Sequence, residues 1–204
     1  VTLSNNQFYE LGVDYVDNCF QWKKFEQPYS KSKVPHTDNL PEGYTTEISN
    51  QSDGWLKSIY DLMSEGTVLL IDYGMSRAEY FHSQRSDGTL KCFHKHKSNN
   101  NPFIHIGDQD ITASVNFTDI AKSSIDAGFK VDGYSTQSMF LISLGIENFL
   151  ISEENEENKI KLAQEIKQLV MPGAMGEVFK VMALTKKQSV KLDGFKEQNL
   201  TERL

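Results

Sequence analysis

The sequence contains few cysteines and no long apolar run. Its two cysteines, Cys19 and Cys92, lie far apart among 204 residues, so we predict two free thiols in a reducing compartment. The longest apolar runs, among them Val68 to Ile71 and Met139 to Ile142, are far shorter than the roughly 20 residues of a membrane-spanning helix. A basic segment followed by an apolar one is also missing, so no secretory signal is visible. We expect a soluble intracellular protein.

Several ligand-binding motifs are missing as well. The 13 glycines never occur as G-x-G, and neither G-K-[ST] nor G-x-S-x-G is present. The first absence removes the usual glycine-rich cradle of a nucleotide cofactor, and the last removes the serine elbow of an α/β-hydrolase. The chain also begins at Val1 instead of methionine, which leads us to expect a processed product or a fragment.

Positive charge is scarce relative to negative charge. There are 21 Lys and Arg against 28 Asp and Glu, a net charge of −7, which argues against a protein that binds nucleic acid through phosphate neutralisation. Hydrophobic residues make up 38% and charged residues 24%, enough for a globular core. The length favours one large domain over two small ones.

The first part of the chain alternates between apolar and polar residues. This pattern predicts short strands on either side of a turn at Asp17 and Asn18. A proline-containing loop over 27–43 and a short strand at Thr45 to Ile48 follow, and then a helix that Ser52 or Asp53 caps. The run Thr67 to Ile71 is apolar on both faces, which is typical of a buried parallel strand.

A second group of elements follows the polar segment 76–114, whose length suggests a functional excursion. The predicted elements are a helix that starts at Asn116 or Thr118 and stops at Gly128, a strand from Phe129 to Tyr134, a short helix from Thr136 to Leu144, a long helix capped by Ser152, and a strand from Val178 to Leu184. This order predicts an α/β layered fold. Only about three clear sheet strands are present, so the chain looks like the second half of a larger sheet.

Two clusters of residues look like ligand sites at first sight. Cys92, His94 and His96 alternate along one predicted strand with His105 nearby, and zinc accepts such ligands. A tetrahedral site draws on at least two elements, so we expect a polar strand face and no metal. The glutamates within Glu153 to Glu157 are better explained by the positive end of a helix dipole.

Two other features suggest chemistry more strongly. Asp72, Tyr73 and Gly74 follow the predicted buried strand, and open α/β sheets bind ligands beyond the carboxyl ends of their strands. The polar stretch from Gly107 to Phe117 carries Asp110 and Thr112, which could bind a ligand. Asn116, in the same stretch, either binds a ligand or caps the following helix.

These motifs carry a resemblance to a known family. Residues 42–185 resemble the C-terminal half of the MidA-like S-adenosylmethionine-dependent methyltransferases, whose mitochondrial members assist respiratory complex I assembly. The matching stretches are Leu69 to Gly74, Asp87 to Leu90 leading to His96, Gln109 to Ala113 with Val115 to Phe117, Thr136-Gln137 with Phe140-Leu141 and Gly145-Ile146, and Met175 to Val181. Ser114 departs from the pattern, because the family usually has histidine there.

The resemblance implies a fold and a domain arrangement. It suggests the C-terminal part of a seven-stranded Rossmann-like methyltransferase sheet with insertions, whose last strand is antiparallel. A strand-rich segment over 1–50, a sheet core over 51–75 and 115–186, and a loop insertion over 76–114 follow from it. The cofactor-loop half of the family is expected to be absent from this chain, so activity is expected only from a longer protein.

The resemblance also implies a function. Mitochondrial relatives methylate arginine in a protein partner, so the implied cofactor is S-adenosylmethionine and the implied acceptor is a protein, such as a respiratory-complex subunit, with no nucleic acid involved. Asp72 and Asp110 are the catalytic candidates because a carboxylate can orient a guanidinium through paired hydrogen bonds. The candidate substrate-binding residues are Tyr73, Gly74, Thr112, Asn116 and Gln137.

Two other functions stay open. The long loops over 27–43 and 76–114 would suit a non-catalytic module that binds a partner or assists assembly of a respiratory complex. The histidine-rich strand would suit a hydrolase, although with less support.

Overall fold

The computed structural model describes residues 1–30, 33–188 and 191–204. Residues 31 and 32 of the predicted loop therefore lie outside the described residues. The chain divides into two units. Unit 1 comprises Val1–Asn50 and Ala78–Ser114, and unit 2 comprises Gln51–Arg77 and Val115–Leu204.

The described chain contains both strands and helices. The strands are β1 (Thr2–Ser4), β2 (Gln7–Val16), β3 (Cys19–Pro28), β4 (Gly66–Met75), β5 (Lys91–His94), β6 (Lys97–Asn99), β7 (Asp110–Thr112), β8 (Val115–Asn116), β9 (Lys130–Thr136) and β10 (Phe179–Lys186). The helices are α1 (Ser52–Leu62), α2 (Arg77–Tyr80), α3 (Phe117–Ala127), α4 (Gln137–Ser143), α5 (Asn148–Ser152), α6 (Glu156–Val170) and α7 (Met175–Val178). Single 3₁₀ turns follow at Asp193–Phe195 and Thr201–Arg203.

Unit 1 contains two antiparallel three-stranded sheets, in the orders β1-β2-β3 and β6-β5-β7. The turn between β2 and β3 lies at Asp17 and Asn18, as predicted, and both residues have positive φ angles of 50° and 61°. Such angles match the twist of a tight hairpin. Leu3, Phe8 and Tyr44 form the small core beside this sheet.

Unit 2 contains a four-stranded sheet in the order β8-β4-β10-β9. β10 is antiparallel to both of its neighbours, with Val181 opposite Ile71 on β4 and opposite Ser135 on β9. β4 and β9 therefore run in the same direction, and their carboxyl ends lie at the same edge of the sheet. Along β4, the short parallel strand β8 pairs only with Gly74 and Met75.

The main core lies on one face of this sheet. Leu56 of α1 and Phe117 of α3 pack there against Met182 and Leu184 of β10, all of them essentially buried. The ends of α3 follow the local signals in the sequence. Asn116 Oδ1 accepts a hydrogen bond from Asp119 N, and Gly128 has a φ of 110°, which favours glycine at the end of a helix.

Two predicted features that precede or begin the first helix are wrong. Thr45 makes only isolated bridges, to Thr2 and Asp87, so the predicted strand at Thr45 to Ile48 does not form. The N-cap of α1 is Gln51, which makes no side-chain capping bond, rather than Ser52 or Asp53. A polar alternation of three or four residues is a weak signal without a partner strand to complete its hydrogen bonds.

Ser152 does not cap the long helix. It is instead the last residue of α5, and its Oγ donates to Phe149 O at 3.2 Å. The chain leaves the helical conformation at Glu153, and Asn155 caps α6 by accepting from Asn158 N at 3.0 Å. Both residues are good N-caps by type, so side-chain chemistry alone could not decide between them.

The prediction that β4 is buried on both faces is also wrong. Leu69 is 49% exposed and Ile71 is 54% exposed, whereas Val68 and Leu70 pack against the main core. Helices α1 and α3 contribute to that core, and among the described residues little covers the opposite face of β4. No helix in the described part of the chain has the length and apolar character needed to cross a membrane.

Lys186 of unit 2 is a buried cation. Its Nζ donates to Tyr60 O and Met63 O, both at 2.6 Å, and lies 3.9 Å from the centre of the Tyr60 ring. These carbonyl groups belong to the last turn and C-cap of α1, which lack partners within the helix. The last residue of β10 therefore fixes the end of α1 to the sheet.

Replacing Lys186 with methionine should lower the free energy of unfolding by about 2 kcal/mol, because two partly buried carbonyl groups lose a charged donor. Denaturant unfolding of the chain measures this loss. Lys187→Met is the matched control, since Lys187 is exposed, and its unfolding curve should stay the same. Equal stability of the two variants would contradict the role of Lys186.

Candidate functional site

Asp72 lies near the carboxyl end of β4, at a level of the unit 2 sheet where residues of three neighbouring strands face one another. Asp72 is opposite Lys180 of β10, and Lys180 is in turn opposite Thr136 of β9. Asp72 is half-buried, and its Oδ1 accepts a hydrogen bond from Tyr73 N at 2.8 Å. No other hydrogen bond to this carboxylate occurs among the described residues, so it keeps acceptor capacity for a ligand.

Tyr73 follows Asp72 and lies on the opposite face of β4, because successive side chains of a strand alternate. Its ring packs edge to face against Phe179, with the ring centres 5.6 Å apart. The two candidates therefore flank the end of β4 rather than share one face of the sheet.

Gly74 is required by packing within the chain. A Cβ at this position would lie 2.3 Å from Val115 O and 2.8 Å from the Phe117 ring. The missing side chain lets β8 and α3 approach β4 closely. This packing is a sufficient reason for glycine at position 74, whatever its contact with substrate.

Asn116 belongs to a polar network at the start of α3. Besides capping the helix, its Nδ2 donates to Asp119 Oδ2 at 3.0 Å. Asp119 also forms an ion pair of 2.8 Å with Arg77, whose backbone N–H donates to Thr118 Oγ1. Of the two roles left open by the sequence, the structure shows the cap. The network ties the segment after β4 to α3, and no spacing in the sequence could have paired Arg77 with Asp119.

Gln137 begins α4 at the end of β9 and is buried. Its Nε2 donates to Leu169 O at 3.0 Å, which holds α4 against the end of α6. Thr136, just before it, accepts from Met139 N and donates to Gln198 Oε1. Unit 2 thus brings the start of α4 and the end of β4 to the same edge of the sheet, while Gln137 itself contacts a helix.

Asp110 and Thr112 lie on β7 in unit 1, whereas the other candidates lie in unit 2. Asp110 is exposed and pairs with Phe93 of β5, and Thr112 is half-buried and pairs with Lys91. The Asp110 carboxylate accepts no hydrogen bond from the described residues, so it is available to a ligand.

Sequence reasoning missed a carboxylate network in unit 1. Glu47 accepts hydrogen bonds from Thr89 N and Thr89 Oγ1, both at 2.8 Å, and from Leu90 N at 3.3 Å. Gly88 has a φ of 74°, and a Cβ there would lie 2.4 Å from Glu47 Oε1. Thr89 Oγ1 also accepts from Ser114 N at 3.1 Å. The Asp87 to Leu90 motif therefore binds the Glu47 carboxylate. Ser114, where the family usually has histidine, contacts Thr89 only through its backbone N–H.

The histidine-rich strand does not assemble a metal site. His94 stacks on His105 with ring centres 4.1 Å apart, and its Nδ1 lies 2.7 Å from Asp108 O. Cys92 is fully buried, and burial raises the pKa of its thiol, which favours the protonated form over a thiolate ligand. Within the described ranges, no group of three or more His, Cys, Asp or Glu side chains could hold a metal ion.

The described residues offer only part of a site for the cofactor that the resemblance implies. This cofactor, S-adenosylmethionine, consists of a methionine and a nucleoside, and cofactors that contain a nucleoside usually bind at a glycine-rich turn that follows a strand. Gly74 is the glycine at the end of β4, but the space beside it is filled by Val115 and Phe117. The residues present therefore do not fit the whole cofactor, and Asp72 is best placed for another ligand at the same edge.

The family of the chain is decided by a match along most of its length. A family model described as "Putative S-adenosyl-L-methionine-dependent methyltransferase" matches residues 1–135. The chain belongs to this family. The predicted resemblance is thereby confirmed, and S-adenosylmethionine is confirmed as the cofactor of the family.

Two solved structures from Burkholderia thailandensis resemble this methyltransferase-family chain. One is an uncharacterized protein of the COG1565 superfamily, with 29% identity and a TM-score of 0.91, and the other is a COG1565 superfamily member bound to S-adenosyl-homocysteine, with 29% identity and a TM-score of 0.92. Each similarity covers 100% of this chain, but only 56% and 54% of the respective neighbours. The chain thus spans about half of their length. No curated protein matches it.

The similar structures support the predicted fold class. The mixed α/β fold, with several sheets and similarity to a methyltransferase-family structure, is confirmed. The seven-stranded sheet and the arginine acceptor stay predictions, as do the roles of Asp72, Asp110 and the other site residues.

Replacing Gly74 with alanine should destabilise the chain by about 3 kcal/mol or more, because the new methyl group would overlap Val115 O. Thermal unfolding measures the effect. Gly54→Ala is the control, since Gly54 lies in α1 with open space around its Cβ position, and this change should keep or raise the melting temperature. A Gly74→Ala chain as stable as the wild type would show that the close approach of β8 and α3 is dispensable.

Proposed function

We propose that this chain forms the acceptor side of an S-adenosylmethionine-dependent protein methyltransferase, and that the acceptor group is an arginine guanidinium. The observation that carries the proposal is the Asp72 carboxylate. It lies at the carboxyl end of β4, half-exposed, with Tyr73 N as its hydrogen-bond donor. The family and the neighbour bound to S-adenosyl-homocysteine support the cofactor class.

The topology of unit 2 supports the same assignment. An antiparallel β10 between two strands of common direction is the arrangement that the resemblance implies for the last strands of the sheet. Along Gly66 to Tyr73, the edge of β4 away from β10 has no partner strand among the described residues. The exposed Leu69 and Ile71 lie beside that edge. We therefore propose that the sheet continues there in a longer protein, with a parallel strand that covers this part of β4.

The chemistry of arginine methylation explains the need for carboxylates. The guanidinium nitrogen must be held about 3 Å from the methyl carbon, in line with the bond that breaks. Carboxylates that accept hydrogen bonds from a guanidinium fix its plane and localise its charge. Asp72 of unit 2 is the proposed partner of the guanidinium, and Tyr73 is the proposed contact to the rest of the acceptor. The roles of Asp110 and Thr112, which lie in unit 1, stay predictions from the sequence.

The proposed acceptor is a protein, and the proposed location is the bacterial cytoplasm, since the structural neighbours are bacterial. A respiratory-complex subunit is the acceptor that the family resemblance suggests. The net charge of −7 favours a cationic acceptor.

In the complete gene product, Asp72→Asn or Asp110→Asn should lower kcat/KM for methyl transfer to an arginine-containing protein by about tenfold or more, because an amide cannot accept two hydrogen bonds from a guanidinium in the same way. The melting temperature should change little. Transfer of a radiolabelled methyl group measures the activity, and Asp126→Asn, an exposed carboxylate in α3, is the matched control. Full turnover in both site variants would remove these roles.

A non-catalytic binding module is the second candidate function. The β2–β3 hairpin supports it, because Val13, Tyr15, Phe20 and Trp22 are exposed on its surface. Apolar residues clustered on a hairpin are typical of a protein-binding surface. Calorimetry with S-adenosyl-homocysteine separates the candidates: binding by the complete gene product supports the methyltransferase, and absence of binding supports the module.

A further inference from the structure

The helical segment between β9 and β10 is attached to the edge of the sheet that carries Asp72. It begins directly after Thr136 and ends directly before Phe179. Thr136 is opposite Lys180, which is opposite Asp72. Loops and insertions at the carboxyl ends of sheet strands are the usual place for ligand contacts.

The first helix of this segment is fixed to the sheet. Phe140 of α4 packs against Val181 and Ala183 of β10 and against Phe195. Gln137 joins α4 to the end of α6, and α5 packs on α6. The segment is therefore held in place by contacts with the sheet and between its own helices.

Several large apolar side chains of this segment are exposed to solvent, and three of them lie close together in the sequence around the short helix α5. Leu144 is 53% exposed, Phe149 is 64% exposed and Ile151 is 77% exposed. They lie within eight positions of one another, around the short helix α5. Single exposed apolar residues are normal, but a concentration of them is typical of an interaction site.

The same segment carries strong negative charge. Residues 142–157 contain five glutamates and no lysine or arginine. Glu156 and Glu157 are explained by the first turn of α6, where they face the helix dipole and form ion pairs with nearby lysines. Glu147, Glu153 and Glu154 are outside that helix and form no ion pair within the described residues.

We propose that the α5 platform, defined as Leu144, Glu147, Phe149, Ile151, Glu153 and Glu154, docks a basic and apolar segment of the methyl acceptor. This inference rests on the proposed function and adds where the acceptor binds. Phe149 and Ile151 bury apolar side chains of the segment, and the three glutamates attract its arginines or lysines.

The negative charge of the platform favours a cationic segment over a second copy of the chain and over an anionic lipid surface. A second copy of the chain carries a net charge of −7 and presents the same glutamates, so the two platforms repel each other. The headgroups of an anionic lipid surface are repelled in the same way. A cationic segment is attracted, and the arginine acceptor of the proposed reaction is cationic.

The test uses this 204-residue chain and a short fluorescein-labelled peptide in which arginine alternates with leucine and phenylalanine. Fluorescence anisotropy measures binding at low and at high salt. The double variant Phe149→Ser/Ile151→Ser should bind about tenfold more weakly at both salt concentrations, because it removes the apolar anchors. The triple variant Glu147→Gln/Glu153→Gln/Glu154→Gln should bind more weakly at low salt only.

Leu62→Ser is the matched control, since Leu62 is 87% exposed on α1, outside the platform, and binding should be unchanged. The same peptide with glutamate in place of arginine should not bind. Equal binding of that peptide, or wild-type binding by the double variant, would overturn the proposal. Concentration-dependent dimers, or binding to phosphatidylglycerol vesicles, that the double variant abolishes would assign the platform to a second copy or to lipid.

These measurements contain no cofactor and no methyl transfer, so they are independent of catalysis. Peptide binding by the platform together with an inactive complete gene product would refute the proposed function and keep the docking site. Methyl transfer that the double variant leaves unchanged, in KM as well as kcat, would refute the docking site and keep the function.

Discussion

The antiparallel pairing of β10 between β4 and β9 is the constraint on which the arrangement of unit 2 depends. Residues 181 to 185 of β10 are buried, and both edges of the strand are paired. Because β10 runs against both neighbours, β4 and β9 must run in the same direction and end at one edge of the sheet. The chain must also return to that edge to enter β10, so the helices between β9 and β10 are attached there. The position of Asp72 opposite Lys180, and that of the α5 platform, are both consequences of this one strand order.

Local signals in the sequence predicted local structure well. The turn at Asp17 and Asn18 and the stop at Gly128 depend on residues within a short stretch, and both are confirmed. Of the two helix starts that the sequence left open, Asn116 and Thr118, the structure shows Asn116 as the cap. Ser152 shows the limit of such signals, because Asn155 is an equally good cap three residues later. Arg77 forms an ion pair with Asp119, and Glu47 accepts hydrogen bonds from Thr89, so each interaction joins residues about 42 positions apart. Local patterns in a single sequence do not show which distant residues will meet.

The sequence was informative about the site in a similar way. It placed Asp72, Tyr73 and Gly74 just after a strand that ends at Ile71, whereas β4 continues through all three to Met75. An apolar run that stops at a carboxylate therefore marked the last part of the strand and not its end. It could not separate residues that face a ligand from residues that hold the fold. The structure gives Gly74, Asn116 and Gln137 contacts within the chain that account for them, whereas Asp72 and Asp110 keep carboxylate capacity beyond the hydrogen bonds of the described residues. The carboxylates are therefore the stronger part of the site prediction.

The exposed apolar residues of unit 2 fall into two physical classes. Leu69 and Ile71 lie on a part of β4 whose outer edge has no partner strand among the described residues, so the proposed further strand would satisfy backbone groups and cover side chains at the same time. Phe149 and Ile151 lie on a helical segment whose backbone is already hydrogen-bonded, so only their side chains remain to be covered. A strand added to the edge of β4 would be held by a row of backbone hydrogen bonds, whereas the α5 platform, which carries three glutamates, would hold a cationic segment through side chains alone. That difference is why the first surface suits continuation of the fold and the second suits a substrate.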